Sequence, residues 1–251
     1  MRVLSIDLDY ATDEFANDND GIVDLQFTPF FHWDSVIEDD PRLYDELKLN
    51  FKSVEFMWNV YTKALNNCKK VDFAYDHDAI LYYLENYDDI EILNIDQHGD
   101  VSCGTYFESS DLSDEDRKDE FEIVKRYDDV NESNWVAWLH AKNKLKKYDL
   151  ITEEDELIYG YEDFSDSSRL LLNEEIFTGS KSRKTYKIDN YNFDYLFICL
   201  SPHYIPIKYW NIFNIFIDYY EEIMNKKATI IDKKYSYTAR YRKLNKYLNL
   251  K

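Results

Sequence analysis

A chain of 251 residues with 45% hydrophobic and 17% aromatic residues can bury a sizeable core, which argues against disorder despite 32% charged residues. A net charge of −20 argues against a phosphate-gripping surface, and so against nucleic acid as a partner, and favours metal ions or Arg- and Lys-bearing molecules. Three widely spaced cysteines, Cys68, Cys103 and Cys199, frame neither a disulfide set nor a thiolate zinc site, and fit a reducing cytoplasm.

Residues 2–8 are an apolar run ending in Asp7-Leu8-Asp9-Tyr10. The run reads as a buried parallel strand with acids at its carboxyl end, and no secretory signal is expected there. Residues 11–33 read as a long loop of the kind that carries function. From Asp39-Asp40-Pro41 a single capped helix is expected, with Leu47, Phe51, Phe56 and Trp58 at helical spacing to about Leu65. Residues 71–75 give the next strand, ending in Asp76-His77-Asp78 and followed at once by helix-like residues 79–84.

Residues 92–95 form a third buried strand that runs into Asp96-Gln97-His98-Gly99-Asp100. Alternation along a strand would send Asp96, His98 and Asp100 to one face and Gln97 to the other. Residues 108–120 read as an acidic loop entering a helix. Asn134 is placed to cap a helix running through Trp138, Leu139 and Leu145 to Tyr148. Residues 157–161 and 185–188 are weak strand candidates, whereas 193–200 is a strong one that ends in Ser201-Pro202-His203-Tyr204. An amphipathic helix over 208–224, a last strand over 228–231 and a basic helix over 236–250 complete the chain. No apolar run approaches the ~18–20 residues of a membrane span.

Strands alternating with helices predict one α/β domain over residues 1–251, three-layered, with a mostly parallel sheet and a basic helical tail from about residue 232. In such sheets function gathers at the carboxyl ends of the strands, where the acids and histidines of this sequence fall. Asp7, Asp9, His77, Asp96, His98 and Asp100 would then converge. So many carboxylates repel one another unless cations lie between them. Carboxylate with some imidazole and no thiolate suits Mn²⁺, with Fe²⁺ and Co²⁺ as chemical alternatives. Taken singly, Asp7 and Asp9 read equally well as loop caps, and His77 as the neighbour of a helix cap.

These motifs resemble those of the arginase and agmatinase superfamily. Asp96-Gln97-His98-Gly99-Asp100 is similar to its Asp-x-His-x-Asp run, Tyr75-Asp76-His77-Asp78 to its Gly-Asp-His-Ser, and Ser5-Ile6-Asp7-Leu8-Asp9 to its Ser-Phe-Asp-Val-Asp. The nearest likeness is to a divergent branch that includes peptide arginases, which convert arginine side chains of ribosomally made peptides to ornithine and urea. The resemblance implies two Mn²⁺ ions, one held by His77, Asp96, Asp100 and Asp7 and the other by His98, Asp96, Asp7 and Asp9. Asp96 and Asp7 would bridge them. Asp96 and His98 are the catalytic candidates, and His140 is a candidate proton shuttle whose alternative reading is a surface or packing residue. Ser102, Asn134 and Trp135 are secondary candidates for the substrate side, with helix capping the alternative for Asn134, and Asp13 or Glu14 for the carboxylate that pairs with the guanidinium; His32 and His203 are weaker candidates. The basic residues Lys226, Lys227, Lys233, Lys234, Arg240, Arg242 and Lys243 are a candidate grip for an acidic leader peptide or a neighbouring subunit.

The chain departs from the family in opening with the Asp-x-Asp strand, which implies permuted strand order, and in lacking the segments that grip the ends of free arginine. Rival readings are a haloacid-dehalogenase-like phosphatase using Asp7 as nucleophile and Asp9 as acid, a single-zinc deacylase, and a non-enzymatic acidic decoy that binds basic proteins.

Overall fold

Six strands make one wholly parallel sheet in the order β2-β6-β1-β3-β4-β5. The computed structural model describes residues 1–12, 33–34, 36–38, 41–101, 134–152 and 176–231. The strands are β1 (Arg2–Asp7), β2 (Lys70–Ala74), β3 (Ile90–Ile95), β4 (Leu145–Thr152), β5 (Phe177–Ser182) and β6 (Tyr195–Cys199). The helices are α1 (Pro41–Glu46), α2 (Phe51–Leu65), α3 (Leu81–Leu84), α4 (Trp135–Ala141) and α5 (Asn211–Met224). Among the described residues no helix is long and apolar enough to cross a membrane.

The strand sequences separate the two faces of the sheet. Leu4, Ile6, Phe73, Leu196 and Ile198 pack with Met57, Tyr61, Phe213 and Phe216 of α2 and α5. The alternate residues Val3, Ile92, Tyr195 and Phe197 pack with Leu81 and Leu84 of α3 and Trp135 and Leu139 of α4. Strands buried on both sides in this way need apolar residues at nearly every position, which β1 and β6 supply. The sheet with helices on both faces is the expected α/β architecture.

Four local expectations are corrected. The single helix from Pro41 to Leu65 is two helices, because residues 47–50 join the chain that follows β1. Leu49 bridges Thr12, the Asn50 amide donates to the Ala11 carbonyl at 2.7 Å, and the Asn50 side chain caps the Lys52 amide at 3.1 Å. The helix expected to reach Tyr148 stops at Ala141. Asn143 takes a left-handed φ of 54°, and the amides of Lys144 and Asn143 close back onto the carbonyls of Leu139 and His140, both at 2.9 Å. This is a Schellman stop, and Leu145 to Tyr148 belong to β4. The fifth strand is Phe177–Ser182, whereas residues 183–185 form a turn and 186–193 have no regular structure. The last expected strand survives as a single parallel bridge from Ile230 to Phe73. The expectations for residues 13–32, 108–120, 157–161 and 236–250 lie outside the described residues.

Candidate metal centre

The floor of the site is laid by strand register. Ser5 pairs with Asn94 of β3 on one side and with Phe197 of β6 on the other, so all three face α3 and α4. Two residues further on, Asp7 and Asp96 leave the same edge. There the chain folds twice in the same way. The Asp9 amide donates to Asp7 Oδ1 at 3.0 Å, and the His98 amide donates to Asp96 Oδ1 at 2.8 Å. An aspartate that accepts from the amide two residues on makes a tight turn, and each turn brings its i+2 side chain back over the strand end. Asp9 Oδ2 and His98 Nδ1 consequently meet at 3.0 Å.

Convergence therefore comes from these turns and not from strand alternation. β3 ends at Ile95, residues 96–98 are a bend, and Asp9 lies in a 3-10 turn over Leu8–Ala11. The strands that carry the donors are also not all neighbours. β1 and β3 pair directly, but β6 stands between β1 and β2. His77 enters from a 3-10 turn (His77–Ile80) just beyond β2, its ring stacked on Phe197 at 5.9 Å and set 4.8 Å from Trp135.

The His77 surroundings are diagnostic. Its Nε2 lies 2.6 Å from Ser5 Oγ. Its Nδ1 lies 3.1 Å from Asp7 Oδ2, 3.0 Å from Asp96 Oδ2 and 3.0 Å from Asp100 Oδ2, yet none of the three is aligned as a hydrogen bond. Donors bound to one ion by bonds of about 2.1 Å meeting near right angles lie about 3.0 Å apart. Asp9 Oδ1 is a second buried atom with no hydrogen-bond partner. The donor atoms fall into two groups, Asp7-His77-Asp96 and Asp9-Asp96-His98, each with its atoms within 4.8 Å of one another. Asp96 belongs to both. Asp7 lies in the first group, and Asp100 stands beside it through His77. These buried Asp and His groups fit a metal ion.

Electrostatics point the same way. Burial, Asp7 and Asp96 push the Asp9 carboxyl well above the usual carboxylate range. Burial and then Asp96 raise Asp100 to about 7. Burial works against charge on both imidazoles and the carboxylates override it. Asp100, Asp7 and Asp96 raise His77, and Asp9 above all raises His98 to about 10. Burial also opposes charge on Asp96, but His77 and His98 bring it down to about 2. Without ions the cluster thus borrows protons to offset its own repulsion.

Several supporting residues went unread in the sequence. Asn94 donates from Nδ2 to Asp96 Oδ2 at 3.0 Å and to Tyr148 OH at 3.1 Å, and Tyr148 in turn donates to the Gly99 carbonyl at 2.9 Å. Ser201 donates from Oγ to Asp7 Oδ2. Ser5 and Asn94 had a usable signal, since each sits two residues before an aspartate of the cluster. Ser201 and Tyr148 are far away in sequence and had none.

Trp135, expected on the substrate side, is wholly buried and donates its indole N–H to Asp100 Oδ2 at 2.6 Å. Asn134 is buried at the N-cap of α4, where its side chain makes no cap bond. His140 lies in the last turn of α4, about 140° around and about 7.5 Å along the helix from Trp135. His203 is buried in the turn after β6, and its neighbour Tyr204 sets its ring 4.7 Å from that of His98. Asp13, Glu14, His32, Ser102, Lys233, Lys234, Arg240, Arg242 and Lys243 lie outside the described residues.

Fold and site together define an α/β protein with a buried Asp/His cluster, able to hold a metal ion, at the carboxyl edge of a parallel sheet. Comparison of the chain with protein-family models, with curated proteins and with solved structures returned no match.

Proposed function

We propose that the chain is a two-metal hydrolase of guanidino groups, related to the arginases, that acts on arginine side chains of a ribosomally made peptide. Hydrolysis would release urea and leave ornithine. The observation that carries this reading is Asp96. Its Oδ2 faces His77 Nδ1 at 3.0 Å and its Oδ1 faces His98 Nδ1 at 3.7 Å, so one carboxylate spans both donor groups. Charge supports a pair of ions. With neutral imidazoles, Asp7, Asp9, Asp96 and Asp100 carry four negative charges, which two divalent cations balance. The oxygen and imidazole donors suit Mn²⁺.

Bound there, such a pair would supply a water of lowered pKa and stabilise charge developing around the guanidinium carbon. The residues of the chain do the rest. Ser5 holds the His77 ring by Nε2 and leaves Nδ1 for the ion, Asn94 orients Asp96, and Trp135 orients Asp100. The His98 side chain is 36% exposed while that of His77 is 1% exposed, so substrate would arrive on the His98 side. Tyr204 offers an aromatic wall there for a planar cation.

Charge also supports a strongly cationic substrate. The stretches 13–32, 102–133 and 153–175 follow the carboxyl ends of β1, β3 and β4. They hold 25 of the chain's 50 acidic residues and 5 of its 30 basic ones. The rest of the chain is balanced, 25 against 25, so the whole excess of −20 belongs to the three stretches that come next in sequence after those strand ends. Such a field steers polycations. The phosphatase and decoy readings leave His77 and Asp100 without a purpose.

The test is urea and ornithine production from an arginine-rich peptide and from free arginine, with Mn²⁺ supplied. The peptide should be the better substrate. Absence of urea from both, with metal bound, would remove the guanidino reading and leave the metal centre standing.

A further inference from the structure

We propose that Ser201 is a positioning residue of the metal centre, tying Asp7 to His77 across the strand that separates them. The inference rests on the metal reading of the cluster. Because β6 intervenes between β1 and β2, Asp7 and His77 come from strands that do not touch. Ser201 sits at the end of that intervening strand and reaches both sides. Its hydroxyl donates to Asp7 Oδ2, the oxygen 3.1 Å from His77 Nδ1. Its amide donates at 2.9 Å to the carbonyl of Tyr75, two residues before His77.

The backbone of Ser201 is built for this reach. Its φ of 48° is left-handed, a region that a serine enters at a cost and that glycine or asparagine enters more readily. The amides of Tyr204 and Ile205 hold it there by donating to its carbonyl at 3.0 and 3.2 Å. Serine adds to the turn a hydroxyl that holds Asp7 Oδ2. With the Asp9 amide on Oδ1 and the Ser201 hydroxyl on Oδ2, both oxygens of Asp7 carry a donor, and its carboxylate plane is fixed with Oδ2 toward His77. Local strain retained at a site by surrounding bonds is the pattern expected of a functional turn.

The test uses the full chain with Ser201→Ala and Ser201→Gly. Mn²⁺ and Co²⁺ affinities are measured by calorimetry, the visible absorption of bound Co²⁺ is recorded, and both variants are melted without metal. Both variants should lose about 10–100-fold in metal affinity and shift the Co²⁺ band. Ser201→Gly should melt above Ser201→Ala, since glycine relieves the left-handed strain. Wild-type affinity in both variants, or affinity that rises with melting temperature from Ser201→Ala to Ser201→Gly, overturns the assignment alone. A wild-type chain that binds neither ion overturns the metal reading and this assignment with it.

Discussion

Replacing Trp135 by phenylalanine separates packing from metal support at one buried position. A ring remains beside His77, now 4.8 Å away, but the indole N–H that donates to Asp100 Oδ2 at 2.6 Å is lost. A buried hydrogen bond to a charged group contributes about 1.5–3 kcal/mol. The smaller ring leaves a void costing about 1–2 kcal/mol more. With each kcal/mol moving the midpoint of a domain this size by about 2–4 °C, the metal-free variant should melt about 10 °C below wild type. Whatever part of that bond is realised only with the ion in place is lost from Mn²⁺ affinity instead, by up to about 150-fold. Melting curves with and without Mn²⁺ read both effects. The control is Tyr61→Phe, which removes a 2.8 Å bond to the Phe216 carbonyl in the core on the opposite face of the sheet. It should lower the melting point and leave the Mn²⁺-induced rise intact. A Trp135→Phe chain that melts lower but keeps the full Mn²⁺-induced rise would refute the link through Asp100.

Ser5→Ala removes the partner of His77 Nε2 and should weaken Mn²⁺ binding about 10–100-fold by calorimetry while the circular dichroism spectrum is unchanged. Asp96→Asn keeps the shape of the bridging side chain and removes its charge; metal analysis should find both ions lost, and urea release from peptide should fall to background. In the metal-free chain, Asp100 is raised by burial and by Asp96 from 3.8 to about 7, so the folded state binds the extra proton and stability is lost as pH rises through that window. His98 is raised to about 10, with Asp9 overriding burial; its contribution is whole below 6.5 and is lost as pH rises through 10. Bound ions displace both protons, so the Mn²⁺-induced rise in melting temperature should grow between about pH 6 and pH 9.

The buried strands were legible because β1, β3 and β6 are nearly continuous apolar runs, and their acids and histidines fell where a parallel sheet puts them. β5 was not, because Phe-Thr-Gly-Ser-Lys-Ser is an edge strand with no apolar run. The end of α4 was missed because Leu145 and Tyr148 continue a helical spacing, and only Asn143 marks the stop. Strand alternation does not place the acids and histidines of the cluster, since β3 ends at Ile95 and Asp9 lies in a 3-10 turn. Asp-x-Asp and Asp-x-His converge through paired two-residue turns, a geometry that a strand pattern does not contain. Ser201 and Trp135 act on Asp7 and Asp100 across 194 and 35 residues of sequence, distances over which no local pattern reports.

Metal content per chain tests the shared-carboxylate centre most directly. After loading with Mn²⁺ and removal of free metal, the wild-type chain should hold two ions and His98→Ala one, since the His77 group keeps Asp7, Asp96 and the adjacent Asp100. Wild-type protein without bound metal, or His98→Ala with an unchanged content, would contradict the account.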